Sequence, residues 1–201
     1  MKLYHSHFSS SFILFLFLSI FTIQYLNVTA ATCHVDDETG LLGFKSGITA
    51  DPSGILSSWK KGTDCCTWAG VTCLNNHRVT SFRSFGLSGQ IPANIGNLTQ
   101  LEAFSLEGNQ FTGNIPSSLS ELTGLTQLKL GGNFLTREVP DGIRRLKNLT
   151  LLSLDRNRLS GTIPGFLLVL HKSPNSGTFS QQIFRENPDI DFNTGSETSL
   201  P

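Results

Sequence analysis

The hydrophobic pattern changes character three times along the chain. Phe12–Ile23 (FILFLFLSIFTI) is an apolar run broken only by Ser19 and Thr22. Leu41, Phe44 and Ile48 then fall on one helical face of the segment 36–48 (DDETGLLGFKSGI), with Asp36 or Asp37 placed to cap it. Further on, Phe104 and Leu106, Leu128 and Leu130, and Leu152 and Leu154 each flank a polar residue. Alternation of that kind predicts short strands with the apolar side chains turned inward.

These strands recur at a fixed interval. Leu101, Leu125 and Leu149 are evenly spaced and open the blocks LEAFSLEGNQFTGNIPSSLSELTG, LTQLKLGGNFLTREVPDGIRRLKN and LTLLSLDRNRLSGTIPGFLLVLHK. An incomplete block, HRVTSFRSFGLSGQIPANIGNLTQ, precedes them from His77. One strand cannot bury its apolar face alone, so the repeats must stack around a shared core. Asn109, Asn133 and Asn157 recur at one inward position, where a side-chain amide can bond the backbone of adjacent turns. Gly89, Gly113 and Gly161 suit a tight bend, a place held by Arg137 in one block. Pro92, Pro116, Pro140 and Pro164 fix φ where the chain turns away. The segments after them, with Ile95 and Leu98, Leu119 and Leu122, Ile143 and Leu146, and Leu167 and Leu170 on one face, predict short 3₁₀ or helical turns.

The first thirty residues belong to another category. Lys2 is their only Lys or Arg, and Ala30 and Ala31 follow the apolar run. This is the plan of a secretory signal peptide, cleaved after Ala30, and the run is shorter than the roughly 20 residues a membrane span needs. Across the whole chain 15 Lys and Arg balance 15 Asp and Glu. That balance excludes a strongly basic nucleic-acid binder. Four cysteines, Cys33, Cys65, Cys66 and Cys73, cluster at the start of the mature chain. In an oxidising compartment they predict two disulfides. The vicinal Cys65–Cys66 bridge is disfavoured, which leaves Cys33–Cys65 with Cys66–Cys73, or Cys33–Cys66 with Cys65–Cys73. A zinc site on Cys66, Cys73 and His77 lacks the CxxC spacing, so no metal or other cofactor is expected. No GxSxG, HExxH or phosphate-loop motif is present, which argues against an enzyme.

The blocks resemble the plant extracellular leucine-rich repeat, LxxLxLxxNxLxGxIPxxLxxL. The stretches 36–48, ILSSW (55–59) and DCCTWAGVTC (64–73) resemble its N-terminal cap. The likeness covers residues 33–172 and extends to secreted proteins related to polygalacturonase inhibitors and to receptor-like ectodomains. It implies an α/β-type solenoid, a right-handed superhelix closed by a disulfide-bonded cap, with the pairing Cys33–Cys65 and Cys66–Cys73. Trp59 and Trp68 are then cap core residues. With the signal peptide this gives the expected organisation 1–30 signal peptide, 31–76 cap, 77–172 repeats and 173–201 a divergent, mostly disordered tail. The likeness also implies a non-catalytic recognition protein of the apoplast or cell wall, acting in defence or signalling. The partners implied are an extracellular protein or peptide and membrane receptors; inhibition of polygalacturonases is the alternative.

That resemblance places binding on the outward residues of the strands. Counting back by one full period gives the columns Arg78–Glu102–Thr126–Thr150, Val79–Ala103–Gln127–Leu151, Ser81–Ser105–Lys129–Ser153, Arg83–Glu107–Gly131–Asp155 and Ser84–Gly108–Gly132–Arg156. The candidate binding residues are Arg78, Ser81, Arg83, Glu102, Ser105, Glu107, Gln127, Lys129, Ser153, Asp155 and Arg156. Four strands ~4.8 Å apart and five residues ~3.3 Å apart give a projected face of roughly 300 Å². A standard interface buries about 800 Å² per partner, so binding of a polygalacturonase by this chain alone is expected to be weak. Asn97-Leu98-Thr99 and Asn148-Leu149-Thr150 are N-glycosylation acceptors. Three departures from the family pattern stand out. Phe85 occupies the place of the recurring Asn in the first block, and that block looks shortened between Val79 and Leu87. After Lys172 the pattern ends without a second cysteine pair, which suggests a truncated member with an exposed apolar last edge.

Overall fold

In a computed structural model of the chain, residues 33–74, 77–162 and 189–191 are described. The signal peptide assigned to 1–30, the last proline segment from Pro164 and most of the tail lie outside them. The cap begins with helix α1 (Val35–Ser46). Its N-cap is His34, whose side chain accepts the Asp36 N–H, rather than Asp36 or Asp37. Those two residues and Glu38 sit in the first turn, where negative charge complements the helix dipole. Leu41 and Phe44 are buried, while Ile48 lies beyond the helix at the start of β1 (Ile48–Ala50). The cap closes with β2 (Val71–Cys73). The disulfides are Cys33–Cys65 and Cys66–Cys73, as the family likeness implies. With Cys66 and Cys73 joined in one bridge, the zinc alternative is removed. Trp59 and Trp68 stack in the cap core, and Phe44, Phe82 and Phe104 continue the aromatic packing into the repeats.

Each repeat contributes one strand to each of two sheets. The first coil supplies β3 (Val79–Arg83) and β4 (Ser88–Gln90), the second β5 (Ala103–Ser105) and β6 (Gln110–Asn114). The third supplies β7 (Gln127–Lys129) and β8 (Phe134–Arg137), the fourth β9 (Leu151–Ser153) and β10 (Arg158–Thr162). The first sheet has the order β2-β3-β5-β7-β9. The second runs β1-β4-β6-β8-β10-β11, where β11 is Asp189–Asp191. Pairing is parallel between coils, and among the described strands only the cap strands β1 and β2 pair antiparallel. The sequence pattern did not announce the second sheet, where only a bend was expected. Three 3₁₀ turns, Ala93–Asn97, Ser117–Glu121 and Asp141–Arg145, follow the prolines as expected and bury Ile95, Leu119 and Ile143.

The inward leucines are the core, with Leu101, Leu106, Leu125, Leu128 and Leu130 fully buried. The asparagines act as the spacing predicts. Asn133 Oδ1 accepts the Phe111 N–H at 3.0 Å, while Nδ2 donates to the Leu106 and Leu130 carbonyls at 2.8 and 3.0 Å. Asn109 and Asn157 repeat the arrangement on Leu87 and Leu135. Each amide therefore satisfies its own coil and the coil before it. Gly113 and Gly161 have φ of 77° and 83°, and Arg137 adopts the same left-handed conformation at 66°. At the last coil β10 pairs with β11 in the second sheet, while β9 ends the first sheet among the described strands; Leu152, Leu154 and Leu159 are buried. Of the tail expected to be mostly disordered, Asp189–Asp191 is the part described.

Candidate protein-binding face

The first coil is the irregular one. Phe82 pairs with Phe104 and Ser81 with Ala103, whereas Phe104 pairs with Leu128. The step along the chain from Phe82 to Phe104 is therefore two positions shorter than the step from Phe104 to Leu128. Two residues are missing between β3 and β4, as the shortened first block suggested. Ser84 holds the inward place of Leu106, and its N–H donates to the Ser105 carbonyl at 3.2 Å as Leu106 does to Lys129. Phe85 then stands in the column of Glu107, Gly131 and Asp155, not at the asparagine position. Gly86, with φ of 71°, matches Gly108 at 70°.

This register corrects the columns obtained by counting back a full period. The rows across the first sheet are Ser81–Ala103–Gln127–Leu151 and Arg83–Ser105–Lys129–Ser153. Arg78 leaves the binding face altogether. Its Nε donates to Asp37 Oδ2 at 2.8 Å and its Nη2 to Oδ1 at 3.0 Å, and Asp37 Oδ2 also accepts the Val79 N–H. Asp37 is fully buried, and its hydrogen bond holds the Arg78 pKa above the ordinary guanidinium value. Arg78 thus joins the cap helix to the first strand. Val79 and Ser84 are buried rather than outward. Ser153 and Asp155 are buried too: the Ser153 hydroxyl donates to Asp155 Oδ1 at 2.7 Å, and Arg156 Nε to Oδ2 at 3.0 Å. Their polar atoms are committed to one another.

The remaining candidates converge. Ser81, Arg83, Ser105, Glu107, Gln127 and Lys129 line one shallow depression of about 310 Å³ on β3, β5 and β7. Phe85 forms part of its wall, and sequence reasoning missed it by aligning it with the asparagines. The two-residue shortening carried the signal that could have found it. Glu102 is exposed at the start of the same sheet. Among the described residues Arg83, Glu107 and Lys129 enter no ion pair. Elsewhere Asp64, Cys66 and His77 lie close together, but Cys66 is in a disulfide and Asp64 Oδ1 accepts the Cys33 and Cys66 N–H groups. Asn97 and Asn148 are exposed at the loops that lead into the strands of the first sheet.

A solenoid of parallel coils, an asparagine ladder and a disulfide-bonded cap define a leucine-rich repeat recognition domain. Comparison with known proteins agrees: a leucine rich repeat N-terminal domain matches residues 34–74, and a leucine rich repeat model matches residues 99–159. The chain belongs to the plant extracellular leucine-rich repeat proteins, and the cap and repeats matched in it are the non-catalytic recognition part of that family. It is 41% identical over 92 residues to the polygalacturonase inhibitor of Pyrus communis, covering 44% of this chain and 27% of that protein. The chain spans about a quarter of the length of the curated relatives it matches. It is similar to a chain of the BIR3–SERK2 complex from Arabidopsis thaliana, with 36% identity and a TM-score of 0.59 over 65% of this chain and 74% of that one. It is also similar to a chain in the structure of the Arabidopsis receptor kinase HAESA with the peptide hormone IDA and the co-receptor SERK1. There the identity is 34% and the TM-score 0.58, over 65% of this chain and 23% of that one. Among the described residues no helix is long and apolar enough to cross a membrane.

Proposed function

We propose that the protein is secreted to the plant cell-wall space and binds an extracellular peptide or protein through the first sheet, alone or joined to membrane receptors. One observation carries this reading: the outward side chains of β3, β5 and β7 meet at one depression, and its charged groups have no ion-pair partner among the described residues. Similarity to ectodomains solved with a peptide hormone and with a co-receptor supports it. The test is affinity capture from cell-wall extract with the intact secreted protein and with an Arg83→Glu, Lys129→Glu double variant. A partner held by the first and lost by the second is the expected result. A partner held equally by both, or none, overturns the reading.

Likeness to the pear inhibitor favours a second reading, inhibition of a polygalacturonase. The small face predicts weak inhibition, and nanomolar potency in an enzyme assay would decide for this alternative. N-glycans on Asn97 and Asn148 belong to the same secreted reading. A glycosidase mobility shift that disappears in the Asn97→Gln, Asn148→Gln variant is expected.

A further inference from the structure

We propose that Phe85 anchors the ligand, and that the depression beside it takes an extended peptide segment carrying an apolar and an acidic side chain. This rests on the reading that the first sheet is the binding face. Four large apolar side chains are exposed among the described residues: Val35, Leu74, Phe85 and Phe134. The Phe134 ring is covered by Arg158 at 4.9 Å, whereas Phe85 is 60% exposed and walls the depression. Buried aromatic anchors dominate binding energy at protein interfaces, so an aromatic left open on the recognition face is the strongest apolar contact available there.

The local backbone holds Phe85 in place before any ligand arrives. Arg83 N–H donates to the Gly70 carbonyl at 2.9 Å, and the Ser53 hydroxyl donates to the Phe85 carbonyl at 3.4 Å. Gly70, with φ of 82°, lets the cap backbone approach so closely that a Cβ there would collide with the Arg83 carbonyl. A backbone fixed in advance spares the cost of ordering this loop on binding. Arg83 and Lys129 lie in one row on either side of Ser105, roughly 10 Å apart at two strand spacings. A carboxylate above Ser105 is within reach of both cations, while Glu107 disfavours negative charge in the row of Phe85. The acidic group therefore belongs over Ser105 and the apolar group against Phe85. The volume of about 310 Å³ lies at the small end of ligand pockets, which suits a short stretch of extended chain.

The test uses an array of short synthetic peptides, varied systematically in acidic and apolar positions and probed with the intact secreted protein. Peptides with both features should be selected. Titration calorimetry of the best of them should show at least tenfold weaker binding to Phe85→Ala and to Lys129→Glu. Phe85→Trp and Thr112→Ala, the latter on the second sheet, should bind as the parent does. Matching melting curves for Phe85→Ala and the parent exclude a folding defect. Equal affinity for Phe85→Ala, selection of basic peptides, or no selection overturns the inference. Capture of a folded partner by the charge-dependent route would still support the broader reading, so the two fail separately.

Discussion

The first coil and the three after it share one repeat but are built to different ends. In the later coils every inward place is filled: leucine or phenylalanine in the strand, asparagine in the turn, and a left-handed residue at the bend. The first coil has Ser84 where the others have leucine, and its hydroxyl, 1% exposed as a residue, has no hydrogen-bond partner. It has no ladder asparagine of its own. The loss is tolerable because each asparagine serves the coil before it. Asn109 reaches back to the Leu87 N–H at 2.9 Å and the Ser84 carbonyl at 2.9 Å. An asparagine in the first coil would have no preceding coil to serve, only the cap. The regular coils therefore supply stability, and the irregular one is free to present Phe85.

The largest test of that division is Asn133→Ala. It leaves the Phe111 N–H buried without a partner, worth about 1–3 kcal/mol, and removes one of the two amide donors from each of the Leu106 and Leu130 carbonyls, which Asn109 and Asn157 still serve, for a total on the order of 4 kcal/mol. Urea denaturation should show a loss of that size, and a loss below about 1 kcal/mol would mean that the ladder is not what holds the regular coils. Next comes the junction between cap and first coil. Arg78→Met strands the buried Asp37 carboxylate, and removing one partner of a buried pair costs roughly 3 kcal/mol. The same denaturation should show it at neutral pH, with partial recovery in the Asp37→Asn, Arg78→Met double variant. The smallest effect has the opposite sign. Arg137 holds the left-handed conformation that glycines hold in the coils on either side, so Arg137→Gly should stabilise the protein by about 1 kcal/mol. A thermal melt that falls on this change would show that the arginine makes a compensating contact.

Much of this was legible in the sequence because the repeat states it several times. Three blocks at one interval reveal the strands, the inward asparagines and the turns after proline without any tertiary information. The first block resists the same treatment. Counting back a full period puts Arg78 on the binding face and Phe85 in the ladder, and both placements follow from assuming that no residues are missing. Only the pairing of Phe82 with Phe104 shows where the shortening falls. The second sheet was hidden for another reason. Segments such as Gln110–Asn114 contain glycine and polar residues and carry little strand preference of their own; they become strands because neighbouring coils offer paired backbone.

By itself, then, the sequence determined the solenoid, its period, its cap and the identity of the core, because those depend on short-range patterns that stacking merely repeats. Tertiary structure decided which side chains remain available to a partner. Arg78, Ser153 and Asp155 look as free as Arg83 and Lys129 in the sequence. Their availability turns on whether a buried carboxylate or a neighbouring hydroxyl lies within hydrogen-bond reach. For Ser153 that partner is near in the chain, but for Arg78 it is the distant Asp37 of the cap helix, which only the fold brings alongside.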